Sequence, residues 1–184
     1  MTLEERMENG KLYNSADETL QAKQRALNEH VYEYNATRPS ETLRRLELLR
    51  QIFPDVGENC WIEPPLRANW GSHTHLGNNV YANFNLTLVD DTHVYIGDHV
   101  MIGPNVTISA AGHPIDPDLR WETMQFNFPV RIEQNSVIGA GSVVTRDIPA
   151  NVVAMGVPCR VVREIGPRDK EFYFRDHRVQ EGLL

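Results

Sequence analysis

The apolar positions of the chain recur every six residues between Leu76 and Pro149, with two interruptions. An aliphatic residue leads each hexad, and a second small or aliphatic residue follows four places later. This period fits neither an α-helix nor an alternating strand. It is typical of a parallel β-helix, in which each hexad forms one short strand and one corner of a triangular prism. The hexads begin at Leu76, Ala82, Ile96, Ile102, Ile132, Ile138 and Val144.

The nearly fixed phase of the hexads decides between two β architectures. A β-sandwich with short strands is the alternative, but its strands need not share one phase. In a prism, the leading aliphatic residues are expected to stack inside, coil above coil. The Gly, Asn or Asp that usually follows the leading residue is expected to accept the unusual backbone of the corner. The sequence therefore predicts a mainly β fold.

The N-terminal part of the chain has a different period. Ser15 and Glu18 have the Ser-x-x-Glu spacing of a helix capping box, and a second apolar stripe follows Pro39-Ser40 and ends before Pro54. Both stripes show the three-to-four spacing of an amphipathic helix. The apolar positions are Leu20, Ala26, Leu27, Val31 and Tyr34 in the first stripe, and Leu43, Leu46, Leu49, Ile52 and Phe53 in the second. Two such helices make a thin layer, so we expect them to pack on another part of the chain.

These periods divide the chain into a helical segment at 1–55, a β-helix at 56–165 and a tail at 166–184. The first interruption, Val89-Asp90-Asp91-Thr92, adds two residues to a corner, and a longer excursion covers 109–129. Loops that leave a rigid repeat scaffold commonly carry function. The aromatic residues at the end of the excursion predict that it folds back onto a surface, with a neighbouring subunit as one candidate.

Composition and charge exclude several classes of function. A net charge of −7 and a pI near 5.5 are opposite to the basic footprint of a nucleic-acid-binding protein. No apolar run is long enough to span a membrane, and the first residues lack the apolar core of a signal peptide. Cys60 and Cys159 could form one disulfide, but two lone cysteines in such a chain are more often reduced and buried, and that is the expectation here. We therefore expect a cytoplasmic protein that binds neither nucleic acid nor a membrane.

Several short motifs, spread along the chain from its first to its last part, point to the same protein family. They are Gly10-Lys11-Leu12-Tyr13, Ile62-Glu63-Pro64-Pro65, Leu76-Gly77-Asn78-Asn79, Ala82-Asn83-Phe84-Asn85, Gly112-His113-Pro114, Gly156-Val157-Pro158-Cys159-Arg160 and Arg168-Asp169-Lys170-Glu171-Phe172-Tyr173-Phe174. These motifs resemble the galactoside and maltose O-acetyltransferases, and the galactoside members more. The resemblance implies a left-handed parallel β-helix preceded by a small α-helical segment. It also implies a homotrimer in which a sugar acceptor and acetyl-CoA meet in clefts between subunits, with no metal.

One stretch of the prism departs from the family pattern. In the family, further hexads separate the segment ending at Ile132 from the segment beginning at Asn135, whereas here the two are nearly fused. The missing piece corresponds to one coil of three hexads, about 18 residues. Loss of a whole coil preserves the phase of a prism, and loss of a fraction would not. In relatives this coil carries part of the wall along the pantetheine arm, so the difference bears on activity more than on fold.

A histidine is the candidate for the chemistry. Acetyl transfer from a thioester to an alcohol needs a base that takes the proton of the attacking alcohol, and the pKa of histidine suits that role. By resemblance this general base is His113, between Gly112, which allows close approach of a substrate, and Pro114, which stiffens the turn. A carbonyl or carboxylate is expected to hold its other ring nitrogen. A structural loop histidine is the alternative. Direct transfer is expected, because no cysteine is placed as a nucleophile.

Four short polar side chains are candidates for binding the sugar. By resemblance, Asn83 and Asp91 line the acceptor pocket, and Asn69 stands where galactoside enzymes have a small polar residue. Asp17 lies in the N-terminal segment that reaches toward the pocket. Structural explanations compete with three of them. Asp91 could cap the corner insertion, Asp17 could serve the first turn of a helix, and Asn83 occupies a corner position that favours asparagine.

The phosphates of coenzyme A require cations within this acidic protein. Arg160 and Arg163 are three residues apart, close enough to act on one phosphate, and small residues beside Ala140 would let a pantetheine chain lie along the coil edge. The alternative is a solvated basic patch that caps the prism end. By resemblance, the residues that bind acetyl-CoA are Ala140, Thr145, Arg146, Arg160 and Arg163.

Three competing functions remain open. The same fold could acetylate an amine, an amino-acid hydroxyl or an antibiotic. Some trimeric β-helices bind zinc through three histidines, but the two-residue spacing of His73 and His75 fits such a site poorly, as does the six-residue spacing of His93 and His99. A third reading is a trimeric remnant without activity. One coil fewer changes the axial separation of His113 and the arginines by about 4.8 Å.

Overall fold

The N-terminal part of the chain is helical, and most of the rest winds into a prism of short strands. The computed structural model describes residues 1–180 and 182, so positions 181, 183 and 184 of the predicted tail lie outside the described residues. The helices are α1 (Leu3–Glu8), α2 (Glu18–Asn35), α3 (Thr42–Ile52), α4 (Pro117–Trp121) and α5 (Arg168–Glu171). Within the described ranges, no helix is both long and apolar enough to cross a membrane.

Three sheets of parallel strands form the faces of the prism, here named A, B and C. Face A contains β2 (Trp61–Ile62), β5 (Tyr81–Ala82), β8 (Met101–Ile102), β13 (Val137–Ile138) and β15 (Val152–Met155). Face B contains β3 (Leu66–Ala68), β6 (Leu86–Val89), β9 (Thr107–Ser109) and β14 (Val143–Val144). Face C contains β4 (Thr74–Leu76), β7 (Val94–Ile96) and β12 (Val130–Ile132). The other strands are β1 (Tyr13–Asn14), β10 (Ala111–Gly112), β11 (Met124–Asn127), β16 (Arg160–Glu164), β17 (Phe172–Phe174) and β18 (His177–Arg178).

The interior of the prism is built from the two apolar positions of each hexad. Every leading residue from Leu76 to Val144 is at most 5% exposed. The second positions are buried as well, and they are Val80, Leu86, Val100, Val106, Ser136, Ser142 and Ile148. Burial of these aliphatic stacks is the main force that holds the coils together. The predicted parallel β-helix, with its leading residues inside, is therefore confirmed.

Two residue types shape the corners, and they do so for different reasons. The fourth residue of a hexad is left-handed, with φ of 58° at Asn79, 62° at Asn85 and 59° at Asn105. Asparagine tolerates this conformation better than most residues. The glycine in second place has no such φ, but a Cβ on Gly97 or Gly103 would lie 2.7 Å from a backbone nitrogen of the next coil. The expectation that the second residue accepts an unusual backbone conformation is therefore wrong for these glycines. They are required because only a residue without a Cβ lets the neighbouring coil approach this closely.

The prism stays in phase where the coil is missing. β12 pairs with β7, β13 with β8 and β14 with β9, each in parallel register. The excursion leaves the prism after β9 on face B and returns at β12 on face C, the next face in winding order. Because the chain re-enters on the correct face, the coils on either side stack directly and share one core. Removal of a whole coil therefore leaves the architecture intact.

The start of α2 differs from the sequence-based prediction. Its N-cap is Asp17, whose carboxylate accepts from the backbone N–H groups of Thr19 and Leu20. Ser15 does not cap a helix, because its hydroxyl donates to the carbonyl of Thr123 in the excursion. The predicted capping box at Ser15 is therefore wrong by two residues.

Two further features of the helical segment depart from the prediction. The sequence pattern gave no indication of α1, whose capping box is formed by Thr2 and Glu5. Leu43 lies in the first turn of α3 and is 76% exposed, whereas the apolar residues of that helix that are buried lie in later turns. The buried apolar residues of α3 are Leu48, Leu49 and Ile52.

The helices pack on the first coil of the prism. This agrees with the expectation that a thin amphipathic layer packs on another part of the chain. The Tyr34 hydroxyl donates to the carbonyl of Ile62. The side-chain amide of Asn35 donates to the carbonyl of Leu66 and accepts from its N–H, both at 2.7 Å. Asn35 thus pairs with the edge of β3 as a neighbouring strand would. This satisfies backbone groups that an open sheet edge would leave exposed.

Candidate functional site

The excursion folds onto the N-terminal segment of its own chain. β11 lies between β10 and β1 in an antiparallel sheet, with Gly112 opposite Phe126 and Tyr13 opposite Gln125. Phe126 is half-buried by this folding, whereas Trp121 stays 87% exposed. The sheet brings the residue that follows β10 against the helical segment. That residue is His113.

His113 is held in one orientation by the excursion. Its Nδ1 lies 3.1 Å from the carbonyl oxygen of Met124 in β11. A carbonyl can only accept, so Nδ1 carries the proton and Nε2 of the neutral ring is a free acceptor. The side chain is exposed. The orienting group expected from the sequence is therefore the Met124 carbonyl, and the ring presents the tautomer that a general base needs.

The corner insertion between faces B and C contains two carboxylates with opposite orientations. Asp90 is fully buried. It accepts from the backbone N–H groups of Asn69, Trp70 and Gly71 at 2.7–3.0 Å, and from the hydroxyl of Thr74 at 2.9 Å. Burial raises the pKa of Asp90 to about 6, against the opposing effect of these hydrogen bonds. Asp90 therefore fixes the 69–74 segment to the corner.

Asp91 faces the other way, into a cavity of about 280 Å³. Its carboxylate accepts from the Asn69 side-chain amide at 2.8 Å and from the Trp70 indole N–H at 3.4 Å. The same cavity contains His113, so the structure brings together three residues predicted from the sequence. The cavity is lined by Met7, Tyr13, Ser15, Leu20, Gln21, Gln24, Asn69, Trp70, Asp91, His113 and Gln125.

Two predicted acceptor residues lie outside this cavity. Asp17 has its Oδ1 engaged as the N-cap of α2. Asn83 lies at the corner between faces A and B, where its side-chain oxygen accepts from the N–H of Phe84. Neither residue lines the cavity that contains His113.

The residues predicted to bind acetyl-CoA also lie apart from that cavity. Arg146 and Arg160 are exposed near the far end of the prism. Ala140 is exposed beside Gly141, and no atom lies within 4 Å of a Cβ added to Gly141. Arg163 differs from the others, because its guanidinium pairs with both oxygens of Asp169 at 2.9 and 2.7 Å. Thr145 is exposed.

Several residues of the cavity were missed at the sequence level. Trp70, Gln21 and Gln24 gave no motif signal. Gln125 reaches the cavity only because β11 folds back, and Tyr13 belongs to an N-terminal motif whose role the sequence does not reveal. The Tyr13 hydroxyl is bonded to the Asn127 side chain at 3.3 Å, and burial raises its pKa.

The histidines of face C bond to one another. His75 Nε2 lies 2.9 Å from His93 Nδ1, and His75 Nδ1 lies 2.8 Å from the Asp55 carboxylate. Across residues 1–180 and 182, no three His, Cys, Asp or Glu side chains are grouped so that they could hold a metal ion.

Comparison with known proteins gives concordant matches. Residues 6–57 match the family model described as the maltose acetyltransferase hexapeptide capping motif. The chain is 47% identical to galactoside O-acetyltransferase of Escherichia coli strain K12, covering 100% of this chain and 99% of the relative. A solved structure of a galactoside acetyltransferase in complex with coenzyme A superposes with a TM-score of 0.85 at 47% identity, covering 98% and 99% of the two chains. A maltose O-acetyltransferase from Clostridium difficile 630 has a TM-score of 0.81 at 38% identity, covering 90% and 98%.

The length of the alignment agrees with the missing coil. The match to the Escherichia coli protein extends over 201 positions, whereas this chain has 184 residues. The excess is close to one coil of three hexads, about 18 residues.

Proposed function

Because the chain belongs to the family of the galactoside and maltose O-acetyltransferases, we propose that it acetylates a hydroxyl of a sugar, with His113 as the general base. The protein is an acyltransferase with acetyl-CoA as co-substrate. The observation that carries the proposal is the shared cavity of His113, Asp91 and Asn69. The left-handed winding known in the family is part of the proposal.

The free Nε2 of His113 would accept the proton of the attacking hydroxyl. The Met124 carbonyl would stabilise the imidazolium that forms and keep the ring in place. Acetyl-CoA supplies a thioester whose thiolate leaves readily. His113 would then return its proton to the departing sulfur, so that the reaction needs no net proton. A positioned base of this kind contributes a factor of about 10²–10⁴ in rate.

The cavity around His113 suits a polyol. Asp91 is fixed by Asn69 and Trp70, and it retains acceptor capacity for sugar hydroxyls. Gln21, Gln24 and the buried Gln125 add amide donors and acceptors. A site with several fixed polar groups rejects ligands that leave them unpaired, which favours a sugar over an apolar amine.

Acetyl-CoA requires cations for its phosphates and open space for its extended pantetheine chain, and the far end of the prism has both. Arg146 and Arg160 are exposed and available to phosphates, and Ala140 and Gly141 leave room for an extended chain. Thr145 follows at the next corner. In this proposal Arg163 is a phosphate ligand that must share its guanidinium with Asp169.

A homotrimer would complete the site. The outward residues of face A form an apolar ladder in register, with Tyr81 beside Met101 and Met101 beside Val137. Met101 is 52% exposed, and Phe84 at the adjoining corner is also exposed. An exposed apolar strip of this kind is typical of a subunit interface. Such an interface would bring Asn83 and the arginines of one subunit to His113 of the next.

Complementation tests the shared site. The variants His113→Ala and Asn83→Ala are each expected to be inactive as homotrimers of the 21.0 kDa chain. Random mixed trimers should regain activity at about one quarter of their interfaces, where each chain supplies the residue that the other lacks. Mixed trimers without activity would show that Asn83 and His113 act within the same chain, and an active Asn83→Ala homotrimer would remove Asn83 from the site.

The acceptor class is tested with the unmodified protein. Methyl galactoside, methyl glucoside and maltose would be compared with serine and an alkylamine, and products would be identified by mass spectrometry. We expect O-acetyl sugars, and acetylated amine or serine alone would replace the sugar proposal by the same chemistry on another acceptor. A folded trimer without any product would establish the second candidate, an impaired remnant, which the pairing of Arg163 with Asp169 favours.

We propose the cytoplasm as the compartment. Cys60 and Cys159 are buried free thiols, a state typical of reducing compartments. Burial raises the pKa of both thiols, which keeps them protonated and unreactive.

A further inference from the structure

The tail of the chain forms an open cavity beside β16, the last strand of face A. Arg163 of β16 holds the tail there, because its guanidinium donates to both oxygens of Asp169. The cavity has a volume of about 490 Å³, within the usual range of small-molecule sites. We infer that this cavity, here named the tail cavity, binds the adenosine 3′-phosphate end of acetyl-CoA. This assignment rests on the proposed acetyltransferase function and adds a subsite to it.

The order of strands on face A gives the distance from the chemistry to the tail. The excursion that holds His113 leaves the prism after β9, in the same coil as β8. β13, β15 and β16 follow β8 as successive neighbours in the sheet of face A. Three strand spacings therefore separate β16 from that coil, which is about 14 Å along the prism axis.

The pantetheine arm of acetyl-CoA covers the same distance. About 13 covalent bonds separate its thioester sulfur from its first phosphorus, and an extended chain advances about 3.4 Å for every three bonds, so the arm spans about 15 Å. With the thioester at His113 and the arm along the prism, the pyrophosphate lies level with β16 and with Arg160 in that strand. The adenosine that follows then lies beyond the last strand, where the tail is.

The missing coil moves the nucleotide outward relative to the prism. This chain has 184 residues, whereas its alignment to the Escherichia coli relative extends over 201 positions. With one more coil, the last strand would lie about 19 Å from the coil that leads to His113, and an arm of the same length would end against the prism itself. In this shorter prism the nucleotide contacts the tail instead.

The tail cavity combines cations with aromatic rings, the two kinds of group that bind a nucleotide. Arg168 and Arg175 line it, and the Arg175 guanidinium lies 5.0 Å from the ring centroid of Phe174. The lining rings of Tyr173 and Phe174 are 69% and 56% exposed. Nucleobases stack on exposed aromatic rings, and arginine donates two parallel hydrogen bonds to a phosphate. An exposed group of this composition is typical of a binding site.

The balance of charges in the tail cavity favours an anion. The carboxylate of Asp169 is paired within the protein, so Glu164 is the remaining acidic residue of the lining, against Arg168 and Arg175. Arg168 also lies 3.2 Å from Asp176, but that carboxylate is almost fully exposed, and such surface pairs contribute little. A phosphate, which carries more charge than a carboxylate, can therefore displace Asp176 from Arg168.

A second copy of the chain is the other conceivable partner of the exposed rings. A two-fold contact would place the same surface on both sides of the interface, so Arg168 and Arg175 of one copy would face those of the other. Like charges at short distance repel each other. The arginines therefore oppose self-association through this surface and favour an anionic ligand.

Adenosine 3′,5′-bisphosphate is the probe, because it contains the nucleotide end of acetyl-CoA without the arm or the thioester. Calorimetry with His113→Ala needs no turnover, so its outcome does not depend on acetyl transfer. We expect the probe to bind, and to bind at least about fivefold more weakly in His113→Ala/Tyr173→Ala, because the base loses a stacking partner. Tyr173→Phe in the same background keeps the ring and should bind as tightly as His113→Ala.

Arg175 provides a charge variant with a matched control. Its φ is 50°, a left-handed conformation that asparagine tolerates, so Arg175→Asn removes the charge without straining the backbone. Arg178→Asn makes the same change at an exposed position of β18 that does not line the tail cavity. In about 0.15 M salt we expect Arg175→Asn to weaken probe binding about tenfold and Arg178→Asn by less than about twofold.

Turnover gives an independent measurement. Acetyl-pantetheine carries the thioester and the arm without the nucleotide. The ratio of kcat/KM for acetyl-CoA to kcat/KM for acetyl-pantetheine should therefore fall at least about fivefold in Tyr173→Ala. Probe binding without any acetyl transfer would support the tail cavity and remove the proposed function.

Three results would overturn the assignment of the tail cavity. The first is no probe binding by His113→Ala, and the second is an equal loss of binding in Arg175→Asn and Arg178→Asn. The third is a Tyr173→Ala protein that binds the probe normally but changes its assembly state in sedimentation, which would assign the rings to a contact between copies of the chain. Each of these results would leave the acetyltransferase proposal standing.

Discussion

The corners of the prism differ in what their side chains do. At two corners, left-handed asparagines stack from coil to coil, with the Asn85 amide 2.9 Å from Asn105 and the Asn135 amide 2.8 Å from Asn151. At the third corner, the chain inserts Asp90 and Asp91, and the stacking gives way to a site. At the regular corners, the polar side chains hydrogen-bond to each other. The irregular corner uses the Asp90 carboxylate to hold the fold, whereas the Asp91 carboxylate lines the cavity that contains His113.

The largest effect on stability is expected from replacing the Asp90 carboxylate with a neutral amide. Asp90→Asn would turn an NH₂ group toward donors that now share a carboxylate, leaving about two buried donors unpaired at about 1–3 kcal/mol each. We expect a loss of about 3 kcal/mol in the free energy of unfolding, measured with urea. Asp91→Asn is the control. It should lose less than about 1 kcal/mol but impair acceptor binding, and equal losses for both would refute the division of labour.

The pH dependence of stability sharpens the same comparison. The pKa of Asp90 is about 6 in the folded protein and 3.8 in the reference state. The folded state therefore binds this proton more tightly, so its stabilising contribution is complete below pH 4 and is lost as the pH rises through 6. The stability advantage of the unmodified protein over Asp90→Asn should widen from pH 7 to pH 4, by at most about 3 kcal/mol. An advantage that narrows toward acid would contradict this assignment.

The regular part of the prism is tested at Gly103. A Cβ there would lie 2.7 Å from the backbone nitrogen of Ala140, and backbone cannot move aside cheaply. Gly103→Ala should destabilise the protein by about 2 kcal/mol. Gly166→Ala is the control, because no atom lies within 4 Å of its added Cβ, and it should change stability by less than about 0.5 kcal/mol. Thermal unfolding would measure both, and a tolerated Gly103→Ala would mean that the coils are less tightly stacked than described.

The smallest effect concerns Asp17. Its capping bonds to Thr19 and Leu20 are worth about 1 kcal/mol, so Asp17→Ala should lower the melting temperature slightly. If capping is the whole role of Asp17, kcat/KM of the variant for a methyl glycoside should stay within about twofold of the value for the unmodified protein. A loss of tenfold or more would restore Asp17 to the acceptor site that the family resemblance implies.

The sequence predicts the prism better than the site, for a physical reason. A hexad period depends on local contacts repeated along the chain, so the pattern alone places Leu76 and Ile102 in the interior. His113 and Asp91 were recognisable by motif. Trp70 was not, because it is placed by the hydrogen bond of its backbone N–H to Asp90, twenty positions away. Gln125 was not, because it reaches the cavity only after the excursion folds onto β1, a contact between residues about a hundred positions apart.

The boundaries of the helical segment show the same limit. Ser15 has the spacing of a cap, but its hydroxyl is taken by the excursion, and Asp17 caps the helix instead. Leu43 fits the apolar stripe of α3 but extends beyond the surface that the prism covers. A tertiary contact decides the first case and the lack of one decides the second, and no local pattern contains either.

The most direct test of the account is acetyl-CoA turnover by His113→Ala. Thiol release in the presence of a galactoside or glucoside would be followed for the unmodified protein, for His113→Ala and for His177→Ala, an exposed histidine of the tail. The account predicts sugar-dependent release that falls by at least about a hundredfold in His113→Ala, with stability unchanged, and that persists in His177→Ala. Equal release by the unmodified protein and His113→Ala would show that the chemistry lies elsewhere.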